Sequence, residues 1–201
     1  MSRARAGAWT AVLAVIMLSG QLVSATIGAQ VAVAAKPSPA RLAIGDSVML
    51  GARWALTKQG FTVDAVKSRQ ATSGPALLAR RGTKLASEIV VHLGTNGTFP
   101  ARTCDAIVRA AGPSRHVYLV TLKVPRSWER ANNTMIRACA RRHGSGRVSV
   151  IDWRAQAVAH PEWLYADGIH LRPAGARAFT RLIDRTVDAT VRSRTTSPVG
   201  L

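Results

Sequence analysis

The chain has 201 residues, 47% of them hydrophobic, with a mean hydropathy of +0.08. That is enough to bury the core of one domain behind a targeting segment, and no internal repeat divides it. Its formal net charge of +18 draws polyanions, but the arginines are scattered (Arg80, Arg81, Arg109, Arg126, Arg141, Arg142, Arg192, Arg194) with no nucleic-acid-binding motif beside them, which excludes nucleic acid as partner.

Residues 1–35 read as an export signal. Arg3 and Arg5 precede an apolar core from Ala8 to Leu18, and Ala32-Val33-Ala34 has the A-x-A pattern of a cleavage site. The charge-free run from Ala6 to Ala35 is also long enough for an uncleaved membrane anchor. Either way the remainder is expected outside the cytoplasm, secreted or anchored by this segment. Removing residues 1–35 takes away only Arg3 and Arg5 and leaves +16. In that compartment an anionic wall polymer, a membrane surface or an acidic glycan suits such a charge. A compositional arginine bias on a solvated surface accounts for it equally well.

A linker (residues 36–40, with Lys36-Pro37-Ser38-Pro39) leads into one domain, residues 41–191, and a flexible tail, residues 192–201. Short apolar runs read as strands at Arg41–Ile44, Phe61–Val66, Glu88–Leu93, Val117–Leu122 and Val148–Asp152. Helical patterns alternate with them at Val48–Lys58, Ala76–Ala86, Ala101–Ala111, Ser127–His143 and Pro173–Val191. This alternation predicts an α/β fold: a flavodoxin-like three-layer α/β/α sandwich around a five-stranded parallel sheet. Right-handed crossovers then bring the loops after the strands to one edge, where ligands bind in open sheets.

Three of those loops carry chemistry-bearing residues. Gly45-Asp46-Ser47 passes from strand into helix, where a serine hydroxyl stands at the sheet edge, although plain helix capping fits as well. It lacks the G-x-S-x-G elbow. Gly94-Thr95-Asn96-Gly97 ends the third strand, so Asn96 either offers its amide to an oxyanion or makes a tight turn. Asp167-Gly168-Ile169-His170 precedes the last helix, and a carboxylate three residues from an imidazole fixes its tautomer when the loop curls. His92 reads as a satisfied core residue, and His116, His143 and His160 as surface or structural. Cys104 and Cys139, an even count in an exported chain, suggest a disulfide, with two buried free thiols as the alternative. No CxxC or HxxxH spacing is present, so no metal site is expected.

Together the Gly45-Asp46-Ser47, Gly94-Thr95-Asn96 and Asp167-Gly168-Ile169-His170 blocks, in this order, resemble the SGNH (GDSL-type) hydrolase superfamily from Arg41 to about Val191. The Lys67-Ser68-Arg69-Gln70 loop, the Val91–Gly97 block and Val124-Pro125-Arg126-Ser127-Trp128-Glu129 resemble one subgroup, the extracytoplasmic SGNH domains of peptidoglycan O-acetyltransferases. The resemblance implies a catalytic Ser47, His170 and Asp167, with an oxyanion hole from Asn96 and the N–H groups of Ser47 and Arg69. The family usually has a glycine after the serine in the second loop. Here Arg69 stands there, with Gly74 further on as the other candidate donor. The substrate it implies is an acyl ester, favoured as O-acetyl on cell-wall glycan, with no metal or organic cofactor, by hydrolysis or by transfer from a membrane acetyl-donor protein. The alternatives are a general small-ester lipase or esterase, and a catalytically silent basic module that binds wall polymer.

Overall fold

A computed structural model describes residues 40–196. The expected signal or anchor, and all of the expected linker but Ala40, lie outside these residues. Five strands form one parallel sheet: β1 (Arg41–Gly45), β2 (Phe61–Ala65), β3 (Glu88–His92), β4 (His116–Val120) and β5 (Val148–Ile151), in the order β2-β1-β3-β4-β5. β3 and β4 are buried at every residue, as strands covered on both faces must be.

Alternation along the strands sorts the side chains into two cores. Leu42, Ile44, Ile89, Val91, Val117 and Leu119 face one layer of helices, α3 (Gly74–Ala79), α4 (Ala101–Ala111) and α5 (Glu129–His143). Ala43, Val90, Tyr118 and Val120 face the other layer. Its members are α1 (Ser47–Gly51), α2 (Arg53–Lys58), α6 (Trp153–Ala159) and α7 (Pro173–Thr196). The three-layer sandwich is as expected. Among the described residues no helix is long and apolar enough to cross a membrane.

Several boundaries differ from the sequence reading, each for a local reason. The pattern at Val48–Lys58 is two short helices broken at Ala52 (ψ 1°), after Gly51, a weak helix former. The Ala76–Ala86 pattern starts earlier, at Gly74 with Pro75 in the first turn, and stops at Ala79. Gly82, at φ 50°, then opens a single 3₁₀ turn. Helix α6 was not anticipated; Asp152 starts it by accepting the Ala155 N–H. The expected tail is helical through Thr196, because Arg194 reaches back to Glu88 at the opposite edge of the sheet (2.6 Å).

Cys104 on α4 and Cys139 on α5 are both fully buried and joined as a disulfide. Their separation of 35 positions closes a loop worth about 3–4 kcal/mol in restricted unfolded-state entropy. Exported protein alkylated without reduction should therefore show no free thiol by mass spectrometry, and reduction should lower the denaturation midpoint. Two labelled thiols would reject the bond.

Candidate active site

Ser47 is the first residue of α1, directly after β1, and the turn that carries it is tightly made. A side chain at Gly45 would stand 2.4 Å from Met49 Cβ, so only glycine lets α1 fold back this sharply. Asp46 caps the helix by accepting the Val48 N–H (3.1 Å) and is completely buried. Burial alone pushes this carboxyl up, but the adjacent His92, with Thr95 and the Val48 N–H, holds it below its ordinary value. His92 is buried, as expected. Nδ1 lies 3.4 Å from Asp46 Oδ1 without a well-formed hydrogen bond, and Nε2 has no hydrogen-bond partner among the described residues.

The Asp167–His170 segment is the tip of a pinched loop. Leu164 and Leu171 bridge antiparallel at its base, Tyr165 N donates to His170 O (2.8 Å), and Gly168 turns the tip at φ 66°. His170 Nδ1 meets Asp167 Oδ2 at 2.6 Å, and His170 Nε2 meets Ser47 Oγ at 3.0 Å. Asp167 Oδ1 accepts the N–H groups of Ile169 (2.9 Å) and His170 (3.0 Å). Partial desolvation raises Asp167, but these hydrogen bonds outweigh it and bring the carboxyl down to about 2. Its charge therefore persists throughout the neutral and mildly acidic range.

Asn96 comes from the loop after β3, which a residue unforeseen from the sequence holds in shape. Asn132, buried on α5, donates through Nδ2 to Gly94 O (3.0 Å) and Gly97 O (2.8 Å), and its Oδ1 accepts the Phe99 N–H (2.7 Å). Gly94 sits at φ 114° with Asn132 and Leu122 against it, leaving no room for a side chain. Two adjacent asparagines inside a helical pattern, Asn132-Asn133, are the signal that was available, since asparagine is a poor helix former. Asn96 Nδ2 makes one long contact, to Arg69 O at 3.4 Å.

Ser47, Asn96 and His170 line a cleft of two lobes that meet at the serine. One, about 590 Å³, also involves Leu50, Gly51, Lys67 and Ser68. The other, about 360 Å³, adds Gln70, Thr95, Arg126, Trp128 and Ile169. Ser68, not Arg69, is the residue of the second loop that borders both lobes, and its φ of 56° is a left-handed value rare outside glycine. The Arg69 side chain turns away: its guanidinium binds Gly45 O (3.2 Å) and Asp64 Oδ1 (2.7 Å), tying the end of β1 to β2. Gly74 is buried against Ile107 and Leu93, away from the cleft. His116, His143 and His160 bond to Ser149, Asp105 and Glu162, and none borders the cleft.

No protein-family model matches the chain. A Bacillus subtilis (strain 168) protein assigned as the peptidoglycan O-acetyltransferase YrhL is 37% identical over 149 residues, 71% of this chain and 23% of that protein. O-acetyltransferase OatA of Staphylococcus aureus (strain NCTC 8325 / PS 47) is 34% identical over 162 residues, 76% of this chain and 25% of the relative. The chain thus spans about a quarter of the length of the curated relatives it matches. Among solved structures, the C-terminal catalytic domain of Streptococcus pneumoniae peptidoglycan O-acetyltransferase A, carrying a methylsulfonyl adduct, superimposes with a TM-score of 0.62. Its sequence is 21% identical, and the match covers 80% of this chain and 96% of that one.

Asn132→Ala removes three hydrogen bonds, two of them fully buried, and strands their backbone partners. It should cost about 2–4 kcal/mol in chemical denaturation and lower activity along with stability. A variant as stable as the parent would mean the loop keeps its shape without this asparagine.

Proposed function

We propose, for a chain that has the SGNH (GDSL-type) hydrolase fold and whose homologues are peptidoglycan O-acetyltransferases, that it is an extracytoplasmic serine enzyme acting on acyl esters, O-acetyl groups of cell-wall glycan foremost. The observation that carries this reading is the unbroken chain from Ser47 Oγ through His170 to Asp167, at 3.0 and 2.6 Å, opening into a cleft beside Asn96.

In this reading Ser47 Oγ attacks the acyl carbonyl while His170 Nε2 takes its proton. Asp167 holds Nδ1–H and stabilises the imidazolium, and its low carboxyl keeps the proton on the ring. The oxyanion is received by Asn96 Nδ2, the Ser47 N–H at the start of α1, and the backbone of the Ser68 turn. Ser68 takes the third place in preference to Arg69, because Ser68 borders both lobes of the cleft and Arg69 lines neither. Protonation of the leaving alcohol by His170 gives the acyl-enzyme. Water or a sugar hydroxyl then resolves it by the same steps in reverse.

Two substitutions test the assignment. Ser47→Ala should fold normally, since alanine suits a helix start, and should lose several orders of magnitude in p-nitrophenyl acetate turnover. Asn96→Ala should lower kcat about a hundredfold with little change in KM, because an oxyanion donor acts mainly in the transition state. Retained turnover in folded Ser47→Ala would end the mechanism, and a change in KM alone would make Asn96 a ground-state contact.

The direction of the reaction is decided at deacylation. Asp167 and His170 are nearly half exposed (side chains 44% and 46%), so bulk water reaches the acyl-enzyme unless an acceptor is held in place. Given an activated acetyl ester and a chito-oligosaccharide together, the isolated chain should release free acetate faster than acetylated sugar. The reverse ratio would make it a transferase.

A further inference from the structure

Cys139 and His143 stand one helical turn apart on α5, so their side chains share a face. That face meets Cys104 and Asp105, which are consecutive on α4. The two cysteines are bonded and fully buried. At the rim of the same contact, Asp105 Oδ1 accepts the His143 Nε2–H (2.8 Å) and an Arg142 Nη2–H (2.9 Å). The CxxC and HxxxH spacings missing from the sequence would not reveal such a set, since it draws two residues from each of two facing helices.

Asp105, Cys139 and His143 each offer one ligand atom, and these atoms lie within 4.8 Å of one another. Cys104 Sγ, bonded to Cys139 Sγ, extends the set to two sulfurs, an imidazole nitrogen and a carboxylate oxygen. Zinc takes such donors tetrahedrally at about 2.0–2.3 Å, which spaces the ligands about 3.3–3.8 Å apart. The sulfurs must part to reach that spacing, and the other separations change by no more than a side-chain rotation supplies. The charges also balance. Two thiolates and a carboxylate exceed a divalent cation by one negative charge, and Arg142, already bonded to Asp105, supplies the opposing one. The hydrogen bonds from Arg142 and His143 hold the Asp105 carboxyl below its ordinary value, so it is present as the charged ligand. The side chains of His143 and Asp105 are 27% and 30% exposed, which gives an ion a way in from solvent.

We propose that this locus has two exclusive states: the disulfide, and a zinc site of Cys104, Cys139, Asp105 and His143 that forms once a thiol or phosphine reductant has opened it. In the opening step the reductant gives two electrons, the S–S bond breaks, and each sulfur takes a proton. Zinc binding then releases both thiol protons. The imidazole, carrying its proton on Nδ1, turns its Nε2 lone pair to the metal. Either state ties α4 to α5, so the metal replaces the cross-link that reduction removes. None of the four residues borders the cleft, and the site is independent of the chemistry at Ser47.

The test uses the full chain, reduced with a phosphine, freed of excess reductant without air, and titrated with Co²⁺ as a spectroscopic stand-in for Zn²⁺. One equivalent should bring thiolate-to-cobalt absorption in the near ultraviolet and the visible bands of tetrahedral cobalt, and Zn²⁺ should bleach both. The oxidised chain should show neither. Asp105→Ala and His143→Ala should each weaken cobalt binding at least about tenfold, since even groups behind metal ligands matter on that scale. His160→Ala removes another histidine–carboxylate pair, the one with Glu162, and should leave the spectrum unchanged. Zn²⁺ should also raise the denaturation midpoint of the reduced chain, or refold it where reduction has unfolded it. A reduced chain without cobalt bands, or the same bands in the oxidised chain, would overturn the site. So would bands indifferent to Asp105→Ala and His143→Ala, bands lost equally in His160→Ala, or a midpoint that Zn²⁺ does not move.

Discussion

Because all five strands run parallel, every strand finishes at the same edge of the sheet, and each must leave it through a loop there. Strand order reverses between β1 and β3, so the segments that leave these neighbours diverge to opposite faces and open a crevice between them. Gly45 and His92 are register partners at that point, which sets the Ser47 turn and the Asn96 loop side by side without either loop having to be long. The loop with Asp167 and His170, which closes against them, is set by the start of α7. Segments as far apart in sequence as Ser47 and His170, 123 positions, meet because strand pairing sets the first two loops and the start of α7 sets the third.

What fixes the fine geometry is polar and lies beneath Ser47, Asn96 and His170. Asp46 caps α1 from inside the protein, Asn132 holds the Asn96 loop through three hydrogen bonds, and Arg69 staples the end of β1 to β2. Each is a side chain satisfying backbone groups that the loops cannot satisfy for themselves. The site is consequently shaped from three polar anchor points, joined through the contact of Asn96 Nδ2 with the Arg69 carbonyl (3.4 Å). The exposed partners, Asp167 and His170, are held chiefly by the short hydrogen-bonded loop they sit on.

Much of this was legible in the sequence, for identifiable reasons. The five strands are apolar runs between turn residues, and the residues that meet at the sheet edge stand directly after those runs or just before the last helix, so their convergence follows from topology alone. The helices under eight residues were legible only in part. Helix α6 depends on one capping aspartate that the strand pattern had absorbed, and the break at Ala52 follows Gly51, a weak helix former that a periodicity reading passes over. Asn132 is silent to a periodicity reading because its value lies in what it touches 38 residues away. The left-handed backbone of Ser68 is likewise imposed by tertiary structure on a residue that gives no hint of it. The reach of α7 to Thr196 depended on a partner at Glu88, which no local pattern could reveal.

That last contact has a practical side. Helix α7 begins just after His170 and, at 24 residues, runs about 36 Å to the opposite margin of the sheet. There Arg194 answers the charge of Glu88, whose side chain is 5% exposed and also accepts the Tyr118 hydroxyl. Trimming the chain at Val191, where the hydrophobic rhythm fades, would delete that guanidinium and leave a carboxylate sealed in the interior with no opposing charge. A production boundary for this domain therefore belongs beyond Thr196, since the last turn of the helix is part of the floor on which the sheet stands.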